Sequence, residues 1–452
     1  MQDLKKSYKL LFVLLVALSL FLAACAGQPE SKPTGKSEGS GGETASPSKD
    51  KVVLDFWTFW GSETRRPIIE KIIDDFNSSQ DEIEVKHTYL PWGDIWTKAL
   101  AAGAAGDPPD VIINDINTVA QRAEKKQNTN LAEYINSEPG FADQFYPHLW
   151  SPMLYEGDAY ALPFNTDTYM LFYNKEIFKE VGLDPEQPPK TWAELEEFAR
   201  KIDKKNGDRY ERIGFLPRHG AGHNIWMLNA DGKSYWDYDA NKPIINQPTD
   251  VETLEWLIKY ESHYGQKVIN AFTAEFGSET ANPFIAGKIG MYIQPGTFYT
   301  QIRDYGDGME FGVAELPARE EDSGHTTWGG GFVAEIPYGA KNPEASWEFL
   351  KYLAGPQAQE HWAVKNFDNV ANIQAAEAAS QSSELTDDGR ATYEATVENL
   401  KNTILTPNPI EAPDYTTLID PEVEKALLGD QTPQEALDKA QKAVEKLIES
   451  TK

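Results

Sequence analysis

The chain has 452 residues, of which 40% are hydrophobic and 12% aromatic, with a formal net charge of −29 and a single cysteine. That length exceeds one compact core, and the apolar content can build two. The excess of acid repels nucleic acid and anionic lipid, and one thiol leaves no internal disulfide and no cysteine-based metal site.

Lys5, Lys6 and Lys9 precede an uncharged apolar run over residues 10–24 that only Ser19 interrupts. This is the layout of a secretory signal, and it is short for a membrane-spanning helix, which needs roughly 20 apolar residues. The run ends in LAAC, residues 22–25, and here the sequence resembles a bacterial lipoprotein. The resemblance implies a signal peptide over 1–24 and a lipid on Cys25 that holds the protein to the membrane; an uncleaved anchor or a plain signal peptide are the alternatives. Residues 26–50 contain no large aliphatic or aromatic side chain and are dense in Gly, Ser, Pro and charge. Such a stretch reads as a flexible tether, so 25–50 is expected to be a lipid-anchored linker.

Beyond the tether, VVLDF (52–56) reads as a strand. Ile68, Ile69, Ile72, Ile73 and Phe76 then fall on one helical face, with Pro67 suited to the first turn. IEVKHTY (83–89) is a second strand, DIWTKALAAG (94–103) a helix with Asp94 as its expected N-cap, and DPPDVIIND (107–115) brings a third strand. Alternating strands and helices predict a parallel sheet with helices on both faces, and ligands bind outside the carboxyl ends of such strands. Those ends are FWTFWG (56–61), LPWGD (90–94) and NDIN (114–117). Phe56 and Trp57 are expected in the core. Trp60 and Trp92, each followed by glycine, are expected at the rim, either packed or touching ligand.

Residues 157–202 add an apolar strand, TYMLFYN, a short helix, a Pro-rich loop and a helix opened by the capping box Thr191 to Glu194. This run is similar to the signature of the extracellular solute-binding proteins of sugar ABC importers, the maltose-binding-protein-like group. GDPPDVII (106–113), FIAGKIGMYIQPG (284–296), FGVAELPA (311–318), TTWGGGFVAEIP (326–337) and NPEASWEFLKYLAGPQAQEHWA (342–363) agree in order, as does a final helix capped by Thr432, Pro433 and Glu435. The resemblance covers about residues 51–452. It implies an α/β, two-lobed periplasmic-binding-protein fold, each lobe a mostly parallel sheet flanked by helices, joined by a multi-crossover hinge. The first lobe would comprise 51–165 with 332–375 and the second 166–331 with 376–452. The crossings would fall near 164–167, near 328–331 and within 374–390. It implies further a carbohydrate ligand in the cleft and ABC transporter permease subunits as partners. A monomer is expected, and the tether, with Ala26 and not an acidic residue directly after the cysteine, fits the outer face of a single-membrane cell.

Carried over by motif, the resemblance turns Asn114, Asp115 and Asn117 toward the cleft and places Asp167 where sugar hydroxyls are bound. It offers Trp226, Phe298, Trp328 and Tyr415 as ring candidates, with core packing the alternative for Trp226 and with Phe298 departing from the tryptophan usual there. Rings supply flat faces for the C–H side of a pyranose, and Asp and Asn supply paired hydrogen bonds to its hydroxyls. HExxH, GxxxxGK[ST] and paired CxxC motifs are absent, and the GxSxG match, GKSEG at 35–39, lies in the tether and not at a strand-to-helix turn. His219 and His223 lie in RHGAGH, whose glycines favour a loop over a helical metal pair, and no cofactor or metal is expected. The rival readings are a binding protein for a polyol phosphate, which would want a basic cleft, and a secreted glycosidase, which needs two carboxylates flanking the bond.

Overall fold

The computed structural model describes residues 51–207 and 209–451. The Cys25 acylation signal and the tether therefore lie outside the described residues. Strand β1 (Val52–Thr58) buries Leu54, Phe56 and Thr58 in strict alternation, and helix α1 (Arg65–Ser79) buries Ile69, Ile72, Ile73 and Phe76. β2 (Ile83–Tyr89), α2 (Asp94–Ala104), β3 (Val111–Asp115) and α3 (Val119–Glu124) follow. Asp94 is the first helical residue and not the cap: Gly93 precedes it at φ +82°, a conformation that glycine adopts without strain.

β4 (Leu162–Thr166) is fully buried and leads directly to β5 (Tyr169–Asn174). β6 (Met291–Pro295), β7 (Phe311–Ala314), β8 (Gly331–Glu335) and β9 (Asn369–Val370) complete two sheets. The first runs β9-β4-β8-β3-β1-β2 and the second β6-β5-β7. β1 is parallel to β2 and β3, whereas β8 and β9 return antiparallel and the second sheet is antiparallel throughout. The expectation of mostly parallel sheets thus holds only for the three strands linked by helices. A parallel neighbour needs a crossover connection, whereas an antiparallel one does not, so β8, which arrives from the other lobe, and the short β9 pair without one.

Two hydrophobic cores result. One gathers Leu54, Phe56, Val111, Phe164, Val333 and Trp362; the other gathers Leu171, Phe172, Trp192, Trp226, Ile293 and Leu437. The final helix, Pro433–Thr451, seats Leu437, Ala440 and Val444 in the second core, opened by reciprocal hydrogen bonds between Thr432 and Glu435. At Thr191 only half of such a box forms: Thr191 Oγ1 accepts from Glu194 N, while Glu194 accepts from Lys190 N. The last return between the cores falls later than 374–390. Ala375, Ala376, Ala379 and Tyr393 still pack in the first core, Tyr393 against Phe367 at 5.6 Å, while Ala395 touches the second core and fully buried members of it resume at Ala412. The alanine-rich face of Ile373–Ser380 lies close against Pro356–Asn366, and small side chains make that approach favourable.

Candidate functional site

The crossings at 164–167 and 328–331 lie side by side. Gly331 pairs with Thr166, Thr166 Oγ1 donates to Gly330 O at 2.7 Å, and Gly330 N donates to Asp167 Oδ1 at 2.7 Å. The glycines are required by close approach. A Cβ on Gly331 would sit 2.3 Å from Asn165 O, and one on Gly329 would sit 2.4 Å from Asp167 O. Burial pushes the Asp167 carboxyl up to about 6; Asp368 and Asp115 add to the rise, and the Gly330 N–H bond and Arg65 oppose it. Asp115 is raised by burial as well, although it accepts from Asn117 N.

A cavity of about 290 Å³ opens beside this crossing, with Asn117 from the first lobe facing Trp328, Tyr415 and Asn224. Trp328 is half-buried; its Nε1 donates to Thr406 Oγ1 at 3.1 Å and its ring lies 5.4 Å from that of Tyr169. Tyr415 packs on Trp236 at 5.7 Å and is nearly buried. Asn117 Oδ1 is buried without a hydrogen-bond partner, an unmet acceptor that a ligand hydroxyl would satisfy. Asn408 N donates to Asn117 O at 2.8 Å, and both residues also line a second cavity of about 760 Å³ along β3. Asn114 and Asp115 line that second cavity, but the Asn114 amide is committed to Glu335 Oε2 at 2.8 Å.

Four expected site rings belong to the cores, Trp60, Trp226, Phe298 and Tyr415, and of these only Tyr415 also lines the cavity. Trp60 is 1% exposed, 4.2 Å from Trp362 and 5.3 Å from Phe164, because the alternation that buries Phe56 and Thr58 continues to it. Trp57 takes the other face, half-buried, with Nε1 donating to Asp55 Oδ2 at 2.6 Å. Trp226 is wholly buried between Trp192 and Trp256, and its Nε1 donates to Pro217 O. Phe298 sits edge-on to Phe172 and Tyr292. Trp92 remains 59% exposed at the rim of the first lobe, where it meets Phe59 and Trp96 at 4.7 Å each.

Several residues at the site escaped sequence reasoning. Trp96 follows Trp92 by one helical turn and Phe59 opposes Trp60 by alternation, so both were readable from spacing. Asn408 and Thr406, in a proline-rich stretch with no periodicity, were not. His219 stacks on Tyr292 at 5.4 Å while His223 faces Asp420 at 3.6 Å, so the two imidazoles serve different neighbours.

Two α/β lobes with a cavity at their crossing define a cleft-type binding protein. Residues 71–392 match the bacterial extracellular solute-binding protein family, and the chain belongs to that family. It is 24% identical over 373 residues to the arabinooligosaccharide-binding protein of Bacillus subtilis, covering 81% of this chain and 80% of the relative. It is 23% identical over 422 residues to the sn-glycerol-3-phosphate-binding periplasmic protein of Escherichia coli, covering 86% and 91%. The structure of CpMnBP1 with mannotriose bound superposes with a TM-score of 0.76 at 26% identity, over 87% of this chain and all of that one. Among the described residues no helix is long and apolar enough to cross a membrane.

Proposed function

We propose that the protein captures an oligosaccharide in the cavity between its lobes, closes over it, and delivers it to the permease of an ABC importer. The carrying observation is the facing of Trp328 and Tyr415 with the unmet acceptor of Asn117 in one cavity. Rings give a pyranose its apolar platform, and the amides of Asn117, Asn224 and Asn408 give its hydroxyls partners, with Asp167 at the adjoining crossing as a further acceptor for a ligand that reaches it. Relatives whose names specify arabinooligosaccharides and mannotriose support the reading. The exposed Trp92 extends the same platform outward. The protein acts as a monomer, held at the outer face of the membrane by the lipid on Cys25; palmitate labelling that persists in Cys25→Ala would refute that anchor. Its role is binding without turnover, and release of an aryl aglycone on incubation with aryl glycosides would contradict this.

The test is a thermal-shift screen of the full-length protein against manno-, malto- and arabino-oligosaccharides. A true ligand at 100 times its dissociation constant adds about 2.7 kcal/mol of stability. The same ligand should reduce the radius of gyration in small-angle scattering, as domain closure does. If no sugar shifts the melting temperature, the proposal fails.

The glycerol-phosphate-binding relative motivates a second reading, a polyol phosphate ligand. A phosphate calls for cationic partners, yet among the described residues no Lys or Arg lines the 290 Å³ cavity. Stabilisation by glycerol 3-phosphate and not by any sugar would establish that alternative.

A further inference from the structure

Helix α2 is apolar in composition, with Lys98 the only charge after Asp94, yet only Ile95 is buried. Leu100 is 53% exposed, and across from it Tyr338 is 65% exposed. Between them runs the 760 Å³ cavity, along the face of β3 from Asn117 at the cleft end to Tyr338 at the far end. Glu335 stands opposite Ile112 in the sheet, so the groove accompanies the strand over the three steps from Ile112 to Asp115, roughly 10 Å at 3.3 Å per residue, and continues past the short helical turn Ile116–Thr118 to the cleft end.

We propose that this groove binds the extension of a long oligosaccharide whose end is held in the cleft, so that the protein selects for chain length. The inference rests on the sugar reading above and adds a second stretch of binding surface to it. Continuity is the first support. Asn117 and Asn408 line both cavities, and the backbone bond between them is the threshold that a chain would cross. Size is the second. The cleft cavity, at about 290 Å³, lies at the small end of ligand pockets, which run roughly 300–1,000 Å³; the groove is well inside that range.

Chemistry is the third support. The walls present the rings of Trp96 and Tyr338 and the aliphatic Leu100, while Asp115 and Asn408 supply hydrogen-bonding groups at the cleft end. The buried charge of the floor, Glu335, is matched: Arg122 Nε donates to it at 2.9 Å, and Asn114 and Asn128 donate as well. A floor whose charge is already neutralised suits a neutral polyhydroxylated chain, and Lys126, which also lines the groove, adds a hydrogen-bond donor for its hydroxyls.

The test is calorimetric titration of the full-length protein with manno-, malto- and arabino-oligosaccharides from disaccharide to hexasaccharide. Gly103→Trp fills the groove, since a Cβ at Gly103 meets nothing within 4 Å, and replacing a helical glycine does not weaken the helix. Tyr338→Ala strips the opposite wall. Wild-type affinity should rise about tenfold or more between the disaccharide and the longer chains, a gain worth 1.4 kcal/mol per decade. Gly103→Trp should abolish that gain with disaccharide affinity retained, and Tyr338→Ala should reduce it, both at an unchanged melting temperature. If wild type binds the disaccharide and the hexasaccharide equally, or if both variants keep the full gain, the groove is not a binding surface although the cleft still is. If no sugar binds wild type at all, this inference and the sugar reading fall together.

Discussion

The two lobes present their ring systems in different ways. In the first lobe the rings come from strand ends and from the start of helix α2, and Phe59, Trp92, Trp96 and Phe332 pack edge-to-face on one another at 4.7 to 6.2 Å. At the second lobe the cavity rings come from the crossing and from a late segment, Trp328 held by one hydrogen bond to Thr406 and Tyr415 by contact with Trp236. A ring on a strand has its face decided by the pleat. Trp328 ends a two-residue strand paired in parallel with Thr403–Ile404, and Tyr415 is placed by its core contacts. The first lobe therefore offers a wall of rings packed on one another, and the second offers two rings that are each fixed by a segment distant in the chain.

The sharpest way to break this comparison is to treat Trp60 as a ligand residue. As a core ring between Trp362 and Phe164, its removal in Trp60→Ala should cost about 3–5 kcal/mol in urea unfolding. A variant of wild-type stability that fails to bind sugar would put Trp60 back at the rim. Trp328→Ala should do the opposite. Calorimetry should show a loss of about 2 kcal/mol in binding, more than tenfold in affinity, with a smaller change in stability; unaltered affinity would remove the second-lobe platform.

Asp167 links the lobes, and its titration sharpens the contrast between them. Its folded carboxyl is raised from 3.8 to about 6, first by burial, so between these values the native state holds a proton that the unfolded state has released. Stability from this group is full below pH 3.8 and falls as pH rises through 6. Asp167→Asn, which keeps an acceptor for Gly330 N, should gain on wild type across that window by about 1 to 2 kcal/mol after allowance for partial solvent screening. Parallel melting curves for the two proteins from pH 4 to pH 6 would contradict the assignment. The smallest effect is expected at Trp92. Trp92→Ala removes edge-on contacts worth about 0.5 to 1 kcal/mol and should weaken sugar binding only a few-fold, and a larger stability loss would mean that the rim is structural.

Much of the first lobe could be read from spacing. The apolar face of α1 and the limits of β2 follow from periodicity, because local pattern and final burial agree there. The fate of FWTFWG was legible too: counting by twos from Leu54 through Phe56 leads to Trp60 in the core, whereas the glycine after it pointed misleadingly to the surface. Trp226 could not be resolved in this way. The helix Asn224–Asp231 buries six of its residues, and a helix enclosed on most sides has no face that periodicity can mark as exposed.

The sequence by itself determined the succession of strands and helices, the capped final helix and the glycines of the crossing, since each depends on backbone preferences and side-chain period within a few residues. The tertiary structure alone decided that Asn117 meets Trp328 and Tyr415 across one cavity, that β8 returns antiparallel, and that the last passage between cores waits until after Tyr393. Those outcomes join residues up to about 300 positions apart. Such pairings depend on how whole faces pack, and no local spacing encodes which distant partner will satisfy them.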